Sequence, residues 1–214
     1  MDRVADDQQF IMRLLVALPV PDHMYYEVPE GIITYISFEE CVEELKKRSR
    51  QHWKYGKAFW IGSLDTHVSR KQLYLLGKMY SNELEIRSFD WKTDCGKFVS
   101  MFDLSQYKYL IAARGYGGWD DRLKMLFRSN RVVFVNERDC REFWMMYGLE
   151  AGIHYISVKE DFSDLIEKKK QIDRHPEQYQ KVVEEMNSYV EKYLSKSFAL
   201  QYMKDMILKH AICR

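Results

Sequence analysis

The sequence predicts an α/β fold: a Rossmann-like, doubly wound, mostly parallel sheet with helices on both faces. Three observations carry that prediction. Short apolar runs of strand length, Lys57 to Ile61, Tyr109 to Ala113 and Val132 to Val135, alternate with stretches of helical spacing. The runs are continuous, as in strands covered on both faces. Two of them end in turn-forming residues just ahead of a helical pattern: Gly62-Ser63, and Arg114-Gly115-Tyr116-Gly117-Gly118.

In chain order, Ile32 to Ile36 reads as a strand. Ser37 caps the next helix, with Glu40 completing a capping box. That helix runs from Phe38 to His52 and turns Cys41, Val42 and Leu45 inward. Lys57 to Ile61 is the next strand. A polar loop, Gly62 to His67, leads into a helix from Ser69 to Tyr80. Leu84 to Phe89 alternates like a strand, and an irregular stretch follows to Ser105. After Tyr109 to Ala113 and the glycine turn, Leu123, Leu126 and Phe127 have helical spacing, and Val132 to Val135 is a strand. Asp139 to Tyr147 reads as helix and Ile153 to Val158 as strand. Asp161-Phe162-Ser163-Asp164 opens an acidic-capped helix that His175-Pro176 breaks. Helices from Glu177 to Tyr193 and Phe198 to Lys209 close the chain. No repeat or proline-rich linker divides it. The reading is a single α/β domain over 1–214: an N-terminal segment 1–56, a binding core 57–165 and C-terminal helices 166–214.

Bulk properties exclude several classes. Hydrophobic residues make up 46% and charged residues 30% of the 214, a globular rather than disordered balance. A net charge of +1 gives no global attraction to nucleic acid or anionic lipid. The four cysteines are scattered, with no zinc-type spacing, and fit a reducing compartment. Acidic residues near the start argue against a signal peptide. No run reaches the roughly 20 apolar residues of a membrane span. The expectation is a cytoplasmic protein without a transmembrane segment.

Candidate functional residues gather where strands end. In an open α/β sheet, ligands bind outside the carboxyl ends of the strands. Arg114 and Arg122 bracket the glycine turn, and a planar guanidinium suits a diphosphate. The alternative is a tight turn whose arginines pair with Asp120 and Asp121. Ser63 and Thr66 offer hydroxyls from the second turn, Arg70 adds charge, and Asp65 is a candidate general base or a helix cap. Glu137, Asp139 and Glu142 follow the third strand and either take ribose hydroxyls or leave capping to Asn136 or Asp139. His154 reads as a structural histidine in a strand. Neither a GxGxxG fingerprint, a phosphate-loop motif nor a DxD metal motif is present.

Taken in order, four segments resemble glycosyltransferase family 90, the capsule-associated, lipopolysaccharide-modifying and protein O-glucosyltransferase-like enzymes. They are Lys57-Ala58-Phe59-Trp60-Ile61-Gly62-Ser63 with Arg70; Tyr107-Lys108-Tyr109 through Arg114-Gly115 to Arg122-Leu123-Lys124; Val132-Val133-Phe134 with Glu142-Phe143-Trp144; and Ile153 to Val158 with Asp161 to Leu165. The resemblance implies the donor-binding half of a GT-B transferase. It implies inversion at the anomeric carbon, no metal, no cofactor, a UDP-glucose or UDP-xylose class donor, and a glycan or protein hydroxyl as acceptor. The resemblance carries Arg114, Gly115 and Arg122 over as diphosphate and nucleotide contacts. With the residues read at the strand ends, the expected donor-binding set is Arg114, Gly115, Gly117, Gly118, Arg122, Gly62, Ser63, Thr66, Arg70 and Glu142, and the expected base is Asp65, or a carboxylate of the N-terminal region such as Glu27 or Glu30. Ile61 stands where the family has arginine, and Asp120 where it has a small residue. Residues 1–56 are few for an acceptor-binding half, so the alternative reading is a non-catalytic module binding a nucleotide sugar or a partner.

Overall fold

The computed structural model of the chain describes residues 27–29, 35–90, 93, 99–115, 122–136 and 143–211. Two short strands, β1 (Glu27–Pro29) and β2 (Tyr35–Ser37), form an antiparallel pair. Of the strand expected from Ile32, only its end lies within the described residues. Helix α1 (Phe38–Ser49) begins with the anticipated capping box: Ser37 Oγ accepts from the Glu40 amide and the Glu40 carboxylate accepts from the Ser37 amide. Phe38, Cys41 and Leu45 form its buried side.

Among the described residues, five parallel strands make the central sheet: β3 (Tyr55–Gly62), β4 (Leu84–Ser88), β5 (Tyr107–Ala112), β6 (Val132–Asn136) and β7 (Ile156–Val158). Their spatial order is β4-β3-β5-β6-β7. Among the described residues the further helices are α2 (Val68–Met79), α3 (Leu123–Phe127), α4 (Leu165–Arg174), α5 (Pro176–Tyr193) and α6 (Lys196–Ala211). Side chains alternate between two cores. Phe59, Ile61, Leu110, Ala112, Val133 and Val135 meet α1, α3 and the end of α5. Trp60, Tyr109, Ile111, Val132 and Phe134 meet α2, α4 and the start of α5. Fully burying each such large side chain contributes about 1.5–3 kcal/mol. Helix α5 carries Val182 and Val183 in one core and Met186, Tyr189 and Val190 in the other, so it crosses between layers.

Three expected elements differ. The strand expected from Ile153 begins at Ile156, because Gly152 adopts φ +82° and the Gly152 amide closes a turn onto the Tyr155 carbonyl. The helix expected from Asp161 begins at Leu165, because Phe162 sits at φ 62°, outside helical space. The helix expected over Asp139 to Tyr147 is a single 3₁₀ turn, Phe143–Met146, within the described residues.

Candidate functional site at the switch point

Numbered by chain position, the five parallel strands run second, first, third, fourth, fifth across the sheet. The chain therefore reverses its winding direction between β3 and β5. At such a reversal the two following loops lead to opposite faces and leave a crevice beyond the strand ends, where ligands bind. The residues bordering it are Gly62 and Ser63 after β3 and Ala113, Arg114 and Gly115 after β5. These are the two turns that strand-end reasoning assigns to one rim.

Arg70 joins them. It projects from the first turn of α2 and is only 7% exposed. Its Nη1 donates to the Ser63 carbonyl at 3.1 Å, its Nε to the Arg114 carbonyl at 2.8 Å and its Nη2 to the Ala113 carbonyl at 3.2 Å. The guanidinium also lies 5.4 Å from the centre of the Trp60 ring. Those bonds make Arg70 a brace holding both turns. Arg122 adds a second tie, its Nη1 donating to the Ile61 carbonyl at 2.8 Å. Gly62 is required here for space: a Cβ would meet the Trp60 indole at 2.7 Å.

Arg114 is held at its backbone and reaches with its side chain. Its amide donates to Asn136 Oδ1 at 3.0 Å, so the buried Asn136 anchors the turn; the helix cap expected of it falls on residues outside the described ones. Its Nη1 donates to Glu160 Oε1 at 3.2 Å, and His67 Nε2 stands 3.7 Å from the same oxygen. Two buried donors on this rim, Trp60 Nε1 and Arg114 Nε, have no hydrogen-bond acceptor among the described residues. A buried donor left without an acceptor costs about 1–3 kcal/mol.

The hydroxyls and carboxylate of the β3–α2 loop behave differently from one another. Thr66 Oγ1 donates back to the Ser63 carbonyl at 3.3 Å, and Ser63 Oγ accepts from the Asp65 amide at 3.4 Å. Neither Asp65 nor Thr66 caps α2. His67 does, its Nδ1 accepting from the Ser69 amide. Asp65 is 85% exposed and pairs loosely with Lys71 at 3.5 Å. It stands at an open cleft of ≈ 590 Å³ that Ser63, Tyr74, Ser88, Phe89 and Asp90 also line. Gly117, Gly118 and Glu142, with Asp120, Asp121, Glu137 and Asp139, lie outside the described residues. His154 is structural as expected: its Nδ1 accepts from the Glu150 amide and its ring packs edge-on against Tyr189.

Sequence reasoning did not single out Glu160 or give His67 a role. Glu160 lies in the loop after β7, which is tightly knit. The Phe162 amide donates to the Lys159 carbonyl, Asp164 accepts from the Lys159 amide, and Asp161 accepts from the Ser163 amide. The left-handed backbone at Phe162 is held by a side chain with no exposed surface.

A parallel sheet in this order, with arginines converging on its switch point, defines a Rossmann-like half of the GT-B glycosyltransferase type. The solved structure of TarM shares that fold, with a TM-score of 0.53 over 73% of this chain and 36% of TarM at 12% identity. The chain belongs to glycosyl transferase family 90, whose profile matches residues 15–212. It is similar to the O-glucosyltransferase LpsA of Dichelobacter nodosus, 29% identical over 45% of this chain and 30% of LpsA. It is also similar to protein O-glucosyltransferase 2 of Danio rerio, 28% identical over 74% of this chain and 33% of the relative. The matched region is thus about a third of each relative's length. Among the described residues no helix is long and apolar enough to cross a membrane.

Proposed function

We propose that this chain binds a UDP-sugar at the switch point and serves transfer of the sugar, of glucose or xylose class, to a glycan or protein hydroxyl. The observation that carries the reading is the pair of buried donors, Trp60 Nε1 and Arg114 Nε, that lack acceptors beside converging guanidinium groups. A diphosphate is rich in acceptors and carries the charge those arginines match. The adjoining cleft of ≈ 590 Å³ has the size of a small-ligand site. The relatives' printed names, O-glucosyltransferases, support the sugar class.

In the proposed reaction the acceptor hydroxyl attacks the anomeric carbon from the side opposite the diphosphate. The new C–O bond forms as the bond to the diphosphate oxygen breaks, which inverts the centre and releases UDP. Arg114 and Arg122 stabilise the charge that gathers on the departing diphosphate, a role that needs no metal. Asp65 takes the acceptor's proton. The openness of Asp65, 85% exposed beside Lys71, favours a second reading in which the chain only binds the nucleotide sugar.

Calorimetry with UDP and UDP-glucose, with and without a chelator, tests the donor site. Wild type binds UDP in both conditions, and Arg114→Ala weakens binding by about 1–3 kcal/mol, the value of a charge-assisted bond. A wild-type protein that ignores UDP defeats the proposal. Asp65→Asn leaves UDP affinity unchanged and lowers transfer about 10²–10⁴-fold if Asp65 is the base. Donor binding with no hydrolysis or transfer by the wild type selects the binding-only reading.

A further inference from the structure

Arg114 is the rim arginine whose side chain is satisfied least well. One of its nitrogens, Nη1, meets Glu160 at 3.2 Å, while its buried Nε has no acceptor. The Glu160 carboxylate is itself 53% exposed, and the same oxygen faces His67 Nε2 at 3.7 Å. A single, half-exposed ion pair of this kind is weak. Its backbone, by contrast, is fixed by the bonds around Lys159, Asp161 and Asp164 and by the buried Phe162. Glu160 thus presents one carboxylate oxygen, from a rigid loop, to the arginine and histidine that border the switch point.

We propose that Glu160 is an internal stand-in for the ligand's phosphate: it parks Arg114 in the unliganded protein, and a diphosphate competes with it for that guanidinium. This rests on the diphosphate reading of the switch point and adds a control to it. When the ligand enters, Arg114 leaves Glu160 and its Nε gains the acceptor it lacks. When the diphosphate departs, the carboxylate returns to Arg114, which favours product release. The loop's rigidity means that side chains alone make the exchange, with no loop closure.

The probe is UDP, titrated calorimetrically into wild type, Glu160→Gln, Glu160→Asp, Arg114→Ala and the Glu160→Gln/Arg114→Ala double variant. Glutamine keeps the shape of Glu160 and removes the competing charge. Glu160→Gln is expected to tighten UDP about two- to fivefold, the strength of an exposed pair expressed as an affinity ratio. Aspartate, one methylene shorter, reaches Arg114 less well and gives part of that gain. In the Arg114→Ala background the gain disappears, a coupling that a merely structural role for Glu160 does not produce. Unchanged or weakened UDP binding in Glu160→Gln, with wild type binding UDP, overturns the parking role and leaves the donor site intact. A gain that persists without Arg114 also overturns it. Failure of wild type and Glu160→Gln alike to bind UDP defeats the donor-site reading itself.

Discussion

Replacing Arg70 by alanine is expected to lower the free energy of unfolding by about 3–5 kcal/mol and to abolish measurable UDP binding. The size follows from its partners. Three donors of one buried guanidinium satisfy the carbonyls of Ser63, Ala113 and Arg114, which belong to the two turns flanking the switch point. Alanine takes that donor from the Ala113 and Arg114 carbonyls and leaves the Ser63 carbonyl with the Thr66 hydroxyl. It also removes the only tie described between the Ser63 and Arg114 turns that spans both backbones at once. Lysine does not restore it, because a single ammonium on a flexible stem cannot reproduce a planar three-way fork. Arg70→Lys therefore recovers a minor part of the stability. Urea unfolding and UDP calorimetry on both variants check this. Loss of UDP binding with unaltered stability would instead mean that Arg70 contacts the ligand, the role its sequence position suggests.

The brace changes how the rim works. Strand-end logic places Arg70, Arg114 and Arg122 together, and the structure does bring them to one crevice. They are not equivalent, however. Arg70 donates inward to backbone, Arg122 reaches across to the Ile61 carbonyl, and Arg114 points to an exposed carboxylate. A phosphate-binding rim needs rigid turns as well as charge, since a donor displaced by an ångström loses much of its value. Arg70 and the buried Asn136, which holds the Arg114 amide, supply that rigidity.

How far this was legible in the sequence depends on distance along the chain. The Ser37–Glu40 box spans three residues and is readable as written. The apolar runs gave β3, β5 and β6 because strands covered on both faces leave little ambiguity. The parallel order was implied by alternating strands and helices, but the reversal between β3 and β5 is a tertiary fact, fixed by which strand pairs with which. Glu160 lies 46 residues after Arg114 and meets it across β6 and β7. No local pattern announces such a pair. Phe162 departs from its local pattern in another way. Asp161-Phe162-Ser163-Asp164 looks like a helix entrance, yet Phe162, its ring buried, adopts φ 62°, outside helical space, and the helix begins at Leu165. The acidic side chains then serve the loop, Asp164 accepting from the Lys159 amide. The capping of α2 by His67 was missed because histidine is not among the usual caps, although Ser69 two residues on supplies both an amide and a hydroxyl to it.

At the opposite end of the sheet, Asp173→Ala is expected to cost about 2–3 kcal/mol, and the cost is expected to vanish in acid. Lys169 is 3% exposed, and its ammonium is paired with Asp173 at 2.8 Å and Glu83 at 2.7 Å. Asp173 also accepts from Lys108 Nζ at 2.6 Å and from the Tyr109 hydroxyl at 2.7 Å. It therefore links α4 to β5, and through Lys169 to Glu83 just ahead of β4. Removing it leaves the buried Lys169 ammonium with Glu83 as its remaining carboxylate. The cost falls below the roughly 3–5 kcal/mol of a fully buried broken pair, because Glu83 remains and Asp173 is itself 34% exposed. Burial alone would raise the Asp173 carboxyl, but hydrogen bonds from Lys108, Lys169 and Tyr109 outweigh it and hold it below the ordinary aspartate value. A depressed folded-state value means that the unfolded chain takes up the proton first as pH falls. The stabilisation is complete above the unfolded value of about 3.9 and is lost as pH drops through the lower folded value. Urea midpoints of wild type and Asp173→Ala should thus differ by a constant amount near neutrality and converge below about pH 4. A difference that stays constant into strong acid would assign the loss to packing rather than to charge.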